Sequence, residues 1–413
     1  MLAAALSFGT TEMPITRRQV GFVSDLIALI DRNLRTTVTI PTSGLPTFFS
    51  DEKHTVLLST EDAKVYHAAL TQLVSIAGKQ DNLSRRGAEL FLQKTLLLAL
   101  DPAARESQSL EERTNSAISG LLVSLNSPVR EYRCYLPIKN LSPDDLPFHL
   151  GAARFAVFDQ AEYSTPYEGA NKKFLGTVGI HMGVHSMDAD AAKMKFRRIC
   201  QQAVDTMNFF SDLVPYNHGW LCQPEDPVGA SVDIVLDDGP TWLRDSERIA
   251  PYTPFSFGAV YKEKWLARSL RRVQHLYASP HNEVTEIILS CLQWAGRATV
   301  ARRREESFLL YAIALETMIL PIQDTELNYR LATRVARLIG ASQHRRKVRE
   351  RITGLYRVRS KIVHSGSYEV TDSDLGAIRK VAKACALAVL SKKSIGVLSK
   401  AKELDAWFEE RAG

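Results

Sequence analysis

The sequence contains few cysteines, and no two of them are close together. Its five cysteines are spread over 413 residues without a C-x-x-C spacing, so neither a disulfide framework nor a structural zinc site is indicated. No run of apolar residues approaches the roughly 18 that a membrane-spanning helix needs. The opening stretch MLAAALSFGTTEMP lacks the charged start of a secretory signal. These absences predict a soluble, cytoplasmic protein that does not contact a membrane.

Motifs for phosphate loops and metal ions are also missing. The glycines fit no phosphate-loop spacing. His181 and His185 are four residues apart in a glycine-containing, strand-like segment with no third ligand nearby, which argues against zinc. The aspartates of the middle region are best explained as a helix start and a turn: Asp188, Asp190 and the pair Asp237-Asp238. We therefore predict no metal and no cofactor.

Positive charge is concentrated in one part of the chain. The formal net charge is +6, yet residues 297–361 contain fifteen Lys and Arg against six Asp and Glu. The densest stretch is Arg345 to Lys361, where Glu350 is the only acidic residue. Such a region suits a polyanion such as RNA, although a charged run is more often a solvated helix face. The candidate RNA-binding residues are Arg345, Arg346, Arg349, Arg357 and Lys361.

Three regions differ in their residue patterns. Residues 1–126 are predicted to be mainly helical, because four segments carry apolar residues at three- and four-residue spacing. After the breaker Asn126-Ser127-Pro128, strand-like segments surround one long predicted helix from Asp188 to Asp212, which indicates an α+β middle domain over residues 127–260. Its last predicted strand is FSFGAVY, residues 255–261. We assign this domain a sensing or regulatory role.

Helical patterns return after residue 261 and continue to the end of the sequence. Residues 261–413 are therefore predicted to form an all-α helical bundle. The fold class that follows is a multidomain α+β protein, with a helical N-terminal region, an α+β middle domain and a C-terminal all-α bundle.

Arg359 occupies an unexpected position in the stretch LYRVRSKIVHSG. On a helical wheel it falls near the centre of an apolar stripe formed by Val348, Ile352, Leu355, Ile362 and Val363. A buried guanidinium requires a partner or a shared cleft. Glu316, in the otherwise apolar helix SFLLYAIALETMIL, is the predicted partner. This ion pair by itself is explained equally well as a lock that stabilises the bundle.

His364 follows Arg359 by five residues. In a straight helix this spacing separates the two side chains by about 140°, so a shared site requires the helix to bend or end between them. Ser365-Gly366 is the predicted end of the helix. A histidine at a helix C-terminus is favoured in its protonated form and suits proton transfer. The alternative is an ordinary C-terminal cap.

These residues resemble a known family. FLLYAIALETMIL and the Arg-x4-His stretch LYRVRSKIVHSG are similar to the HEPN domain (higher eukaryotes and prokaryotes nucleotide-binding), most of all to the Apea-like group of bacterial anti-phage defence proteins. The resemblance covers about residues 283–391. The chain departs from the group's pattern in two places: Ser365 precedes the glycine, and Ser360 stands where many members carry Asn, Asp or His.

The resemblance implies a metal-independent endoribonuclease that acts in anti-phage defence or abortive infection. In this family the RNA 2′-hydroxyl attacks the adjacent phosphorus, and two copies form a homodimer with the Arg and His of both facing one cleft. By this carry-over Arg359 and His364 are catalytic, while Glu316, Tyr356 and Ser360 support them. RNA is the implied partner, and a phage-derived trigger is expected. The alternative is a non-catalytic HEPN module for interaction or nucleic-acid binding.

Overall fold

The computed structural model of the chain describes most of its residues. The described ranges are 15–33, 48–50, 55–58, 60–77, 83–144, 146–158, 175–214, 234–236, 239–241, 254–279, 281–322, 327–365 and 369–410. They divide into two compact units. The first unit comprises Met1–Tyr132 and Val184–Lys195, and the second comprises Arg133–Gly183 and Phe196–Gly413.

The elements alternate from helical to mixed and back to helical along the chain. The first part contains α1 (Phe22–Asn33), β1 (Phe48–Ser50), β2 (Thr55–Leu57), α2 (Thr60–Ala77), α3 (Arg85–Ala99), α4 (Pro102–Ser107) and α5 (Leu110–Leu125). The middle contains β3 (Arg130–Pro137), β4 (Phe148–Leu150), β5 (Ala153–Val157), β6 (Val178–Ser186), α6 (Ala189–Ser211), β7 (Ile234–Leu236) and β8 (Gly239–Thr241). The last part contains α7 (Phe257–Lys262), α8 (Lys264–Ala278), α9 (Glu283–Val300), α10 (Arg304–Ile319), α11 (Leu327–Ile339), α12 (Arg345–Ser365), α13 (Asp372–Ser391) and α14 (Ala401–Glu410).

The first unit is built from helices with well-defined starts. Ser84 caps α3 by accepting a hydrogen bond from the Gly87 N–H, and Ser109 and Glu112 form a capping box at the start of α5. Such caps satisfy N–H groups that have no partner inside the helix. Helix α5 packs on α3, and α2 packs on α3 and α1. A fully buried ion pair between Arg113 and Asp31, at 3.2 Å, lies within this helical core.

The second unit contains an antiparallel β-sheet. Its strand order is β4-β5-β6-β3-β7-β8. Consecutive strands β4 and β5 form a hairpin whose turn contains Gly151 at φ +60°, a value that glycine adopts readily. The pair β5–β6 is also antiparallel, with Phe155 opposite Ile180. Both of these side chains are fully buried, so this face of the sheet contributes to the core.

Helix α6 makes an unusually close approach to the bundle helix α9. A Cβ on Gly296 would lie 1.7 Å from the backbone oxygen of Asp205, so only glycine fits at this crossing. Beside it, the fully buried Asp205 carboxylate accepts a hydrogen bond from Arg297 at 2.9 Å. Elsewhere in the bundle, α9 packs against α10, α11 against α12, and α10 against α13.

Most element predictions are confirmed, and one is wrong. The breaker at residues 126–128 lies between α5 and β3, and the long helix runs from Ala189 to Ser211. The predicted strand at 255–261 is wrong, because α7 begins at Phe257. Phe255, Phe257 and Val260 are all fully buried, and a three-residue spacing buries one helix face as readily as a strand pattern buries one sheet face. The short helix α4 was not predicted.

The architecture is consistent with the α+β class, since the described residues are mostly helical and include a small antiparallel sheet. The division into three domains at residues 126 and 260 stays a prediction. The structure separates into two compact units, and their boundaries lie at other residues. Among the residues that the structure describes, no helix combines the length and apolar content needed to cross a membrane.

Asp212, directly after α6, forms a buried ionic cluster with helix α13. Its carboxylate pairs with Lys383 and with Arg379, whose Nε donates to it at 2.8 Å. Lys383 also donates to the Asp212 carbonyl oxygen at 3.1 Å. The hydroxyl of Tyr311 on α10 lies 3.5 Å from the same carboxylate. A single carboxylate therefore compensates two cations and connects α6 with α10 and α13.

Replacing Asp212 with Asn should destabilise the protein by about 3 kcal/mol, because the almost fully buried Lys383 ammonium loses its compensating charge. Urea unfolding at neutral pH measures this change. Glu350→Gln is the matched control, since Glu350 pairs with Arg346 on the solvent-exposed side of α12 and should cost less than about 0.5 kcal/mol. Equal losses for the two variants would contradict this account of Asp212.

Candidate functional site

Glu316 lies in the last turn of α10, the most completely buried helix of the bundle. Its neighbours Ala314, Leu315, Met318 and Ile319 are all buried. The helix is surrounded by α9, α12 and α13, which explains why apolar residues occur on nearly all of its sides. The Glu316 side chain is 28% exposed. Its carboxylate thus lies at the edge of the core, where it retains some contact with solvent.

Helix α12 presents Arg359 toward α10. Ile352, Leu355 and Ile362 on the same side of α12 are buried, and this apolar side fixes the rotation of the helix. Arg359 follows Leu355 by one turn and therefore lies on the same side of the helix. Val363 was predicted to belong to the apolar stripe, and this is wrong, because its side chain is 51% exposed. The apolar stripe therefore ends one turn before the helix does.

The predicted ion pair is present. Arg359 Nε lies 3.3 Å from Glu316 Oε1, and Arg359 Nη2 lies 3.5 Å from Oε2. The Arg359 side chain is 35% exposed, so the expectation of a fully buried arginine needs correction. A half-buried pair keeps part of its hydration, and its contribution is smaller than the 3–5 kcal/mol typical of a fully buried pair. The Arg359 side chain is thus partly accessible from the solvent.

Tyr356 lies beneath this ion pair. It is buried, and its hydroxyl donates to the Ala312 carbonyl oxygen at 3.4 Å. Burial, followed by the nearby Glu316 carboxylate, raises the pKa of Tyr356 well above its ordinary value. The phenol therefore stays protonated and acts as a fixed donor beside Glu316. Ser360, the other predicted supporting residue, is half-buried on the next position after Arg359.

His364 does not meet Arg359 within one chain. Helix α12 continues through both residues to Ser365, so the bend or end that we considered between them is absent. The predicted stop at Ser365-Gly366 stays a prediction, because the helix is described up to Ser365 and Gly366 lies outside the described residues. In a continuous helix the two side chains point about 140° apart. His364 is accordingly exposed, on the side of α12 that faces away from Glu316.

The predicted RNA-binding residues share the exposed part of α12. Arg345, Arg346, Arg349, Arg357 and Lys361 are all exposed. Arg346 pairs with Glu350 at 2.9 Å. By helical spacing, Arg346, Arg357, Lys361 and His364 lie on one side of the helix, which we call the outer face of α12. The histidine therefore lies one turn after Lys361 on the outer face of α12, and not beside the Arg359–Glu316 pair.

Other sequence candidates have structural explanations. Asp188 accepts a hydrogen bond from the Ala191 N–H at the start of α6 and from the Ser84 hydroxyl, as expected of a helix cap. Asp190 pairs with Arg86, and the His181 ring stacks on Tyr135. Within the described ranges no group of three His, Cys, Asp or Glu side chains could hold a metal ion. The pair Asp237-Asp238 lies outside the described residues.

One buried charge next to the site was not predicted from the sequence. Arg334 on α11 is almost fully buried and donates to the Ile319 carbonyl oxygen at the end of α10, at 2.8 Å. It also pairs with Asp405 at 2.8 Å and with Glu409 on α14. Within each helix the charged residues are four positions apart, Arg330 with Arg334 and Asp405 with Glu409. This local spacing does not indicate that the two helices pair.

Comparisons of the chain with protein-family models, curated proteins and solved structures find no match. The resemblance to HEPN domains therefore rests on the motif residues themselves.

The Arg359–Glu316 pair should contribute about 1 kcal/mol to stability, as a partly buried pair with two contacts between guanidinium and carboxylate. A double-mutant cycle with Arg359→Gln and Glu316→Gln, measured by urea unfolding, isolates this coupling energy. The same cycle on Arg346 and Glu350 is the control and should give about 0.3–0.5 kcal/mol. A coupling equal to that of the control would contradict a special role for the inner pair.

Proposed function

We propose that the chain is a metal-independent endoribonuclease of the HEPN type. The observation that carries this proposal is the Arg359–Glu316 pair at the edge of the core, in which the arginine side chain is oriented by a carboxylate and stays 35% exposed. His364 supports it, because this exposed histidine lies among cations on the outer face of α12. Both residues belong to the Arg-x4-His motif that resembles the family.

The proposed reaction begins with attack of an RNA 2′-hydroxyl on the adjacent phosphorus. The bond from phosphorus to the 5′-oxygen breaks, which leaves a 2′,3′-cyclic phosphate and a free 5′-hydroxyl. His364 takes up or delivers a proton as general base or acid. Arg359 neutralises the charge that develops on the phosphorane oxygens. Glu316 and the protonated Tyr356 hold the guanidinium in one orientation, with Ser360 beside it.

The proposed site is shared by two copies of the chain. Arg359 and His364 diverge by about 140° on one helix, so a single copy cannot direct both at one phosphate. A homodimer through the bundle would place His364 of one copy near Arg359 of the other. The exposed Val363 lies between these residues in sequence, and a second copy would cover it. The site would be complete only in the dimer.

The wider role follows from the resemblance alone. We propose that the enzyme acts in anti-phage defence or abortive infection and that the HEPN bundle of residues 261–413 carries the cleavage. Residues 1–260 would sense a phage-derived trigger and restrain the bundle until it arrives.

A second candidate function is a non-catalytic HEPN module that binds nucleic acid or another protein. The observation that favours it is the same divergence of Arg359 and His364 on α12. Arg359 already has its carboxylate partner in the same chain, as in an ion pair that only stabilises the bundle.

The wild-type chain should cleave RNA in the presence of EDTA and leave 2′,3′-cyclic phosphate ends. His364→Ala should lower the rate by about 10²–10⁴-fold through the loss of proton transfer. Gel analysis of end-labelled RNA, with phosphatase and kinase treatment of the ends, measures both results. Circular dichroism serves as the folding control. Full activity in His364→Ala would exclude His364 from catalysis, and no cleavage by any preparation would favour the binding module.

Mixing two inactive variants tests the shared site. If Arg359 and His364 act across the dimer, Arg359→Ala and His364→Ala chains refolded together should recover up to about a quarter of wild-type activity per total site, because each mixed dimer keeps one intact composite site. Each variant alone is the control. Failure to recover activity, with mixed dimers demonstrated by mass, would place both residues of each site in one chain.

A further inference from the structure

Helix α8 has a solvent-exposed face that is entirely basic. The helix, Lys264–Ala278, contains no acidic residue. Its basic side chains follow one another at three- and four-residue spacing and therefore lie on one side, which we call the α8 basic face: Lys264, Arg268, Arg271, Arg272 and His275. All are exposed except Arg272, which is half-buried.

The charges of this face are not neutralised by neighbouring carboxylates. Among the described residues, no acidic side chain forms an ion pair with Lys264, Arg268, Arg271 or Arg272. Arg271 donates to the Ala267 carbonyl oxygen of its own helix at 3.2 Å. Arg272 donates to the Lys392 carbonyl oxygen at 3.1 Å. This contact brings two more exposed cations, Lys392 and Lys393, next to the α8 basic face.

An exposed aromatic ring flanks these cations. Trp265 is 46% exposed and lies three and seven residues before Arg268 and Arg272, hence on the same edge of the helix. Unsatisfied positive charge beside an exposed aromatic ring is the combination with which proteins hold single-stranded nucleic acids, as the cations contact phosphates while the ring stacks on a base.

The buried side of α8 decides between nucleic acid and an anionic membrane. An amphipathic helix that binds a membrane inserts its apolar side between the lipids. In α8 that side is already occupied, since Leu266, Leu270 and Val273 are fully buried in the protein core. A membrane could use the charges and the single tryptophan but not the apolar side that such a helix inserts, whereas a single-stranded nucleic acid needs only the charges and an exposed ring.

We propose that the α8 basic face is a binding site for single-stranded nucleic acid. It lies on a different helix from the Arg359–Glu316 pair and does not depend on whether the chain cleaves RNA.

The test uses a strand that cannot be cleaved by 2′-hydroxyl attack. A fluorescein-labelled oligothymidylate of about 20 nucleotides, longer than the roughly 4–16 that one binding fold covers, is titrated with the full-length wild-type chain. Fluorescence anisotropy at about 50–200 mM salt gives the affinity and its salt dependence. Charge reversal by Arg268→Glu with Arg271→Glu should weaken binding at least about tenfold and flatten the salt slope by about 1.4, the value for two lost phosphate contacts.

The role of the ring and the effect of net charge are tested separately. Trp265→Ala should weaken binding about tenfold through the loss of stacking. Lys94→Glu with Arg130→Glu is the matched control, because it makes the same change in net charge at exposed positions of the first unit and should leave the affinity within about twofold. Arg268→Gln with Arg271→Gln repeats the test without new negative charges, and circular dichroism confirms folding.

Three results would overturn the proposal: no binding of the oligonucleotide, unchanged affinity in the α8 variants, or an equal loss in the control. Vesicles of phosphatidylserine and phosphatidylcholine form a separate arm. Binding to these vesicles but not to the oligonucleotide would identify an anionic membrane surface as the ligand instead. A chain that binds oligothymidylate through α8 yet leaves RNA intact would refute only the proposed ribonuclease activity.

Discussion

The second unit depends on the compensation of charges placed inside a helical bundle. A charge removed from water is tolerated only when an opposite charge or several hydrogen bonds replace the lost hydration. Asp205 with Arg297, Asp212 with Lys383, and Arg334 with Asp405 each meet this requirement between different helices. Because each pair has a single favourable geometry, the pairs restrict how the apolar surfaces of the helices pack together. The Arg359–Glu316 pair follows the same principle at the edge of the core, where one partner remains partly open.

Because α12 is continuous, Arg359 and His364 lie on different sides of the same helix. Its inner side directs Arg359 toward Glu316 and Tyr356, and its outer face carries His364 together with Arg357 and Lys361. A bend would have combined them in one chain, but the helix continues unbroken to Ser365. The catalytic proposal therefore requires a second copy, whereas a role in binding does not. Exposed cations on both α8 and α12 give a polyanion more than one helix to contact, and this agrees with the basic balance of the C-terminal part of the sequence.

Much of this architecture could be predicted from local patterns, and the failures have physical causes. The spacing of apolar residues located the helices, and the conflict between Arg359 and its apolar neighbours indicated Glu316 as its partner. The segment 255–261 was misread because a short apolar run buries one face equally well as a helix turn or as a strand. The exposure of Val363 depends on where the neighbouring helices end, which the pattern of α12 alone does not contain. Asp212 and Arg334 were missed because their partners lie about 170 and 70 residues away in sequence, beyond the range of local spacing. The direction of the His364 side chain depends on whether α12 continues between Arg359 and His364. The Ser-Gly pair after His364 did not decide this.

Arg334 gives the last helix of the chain a role in the interior. Its guanidinium holds the final carbonyl of α10, three residues after Glu316, while Asp405 and Glu409 of α14 balance its charge. A frameshift or premature stop codon shortly before residue 401 would remove Asp405 and Glu409. The buried Arg334 guanidinium would then have no counter-charge inside the bundle. Early termination there would therefore destabilise the bundle around Arg334. Purification tags fused behind α14 are acceptable only if the linker leaves these two carboxylates in place.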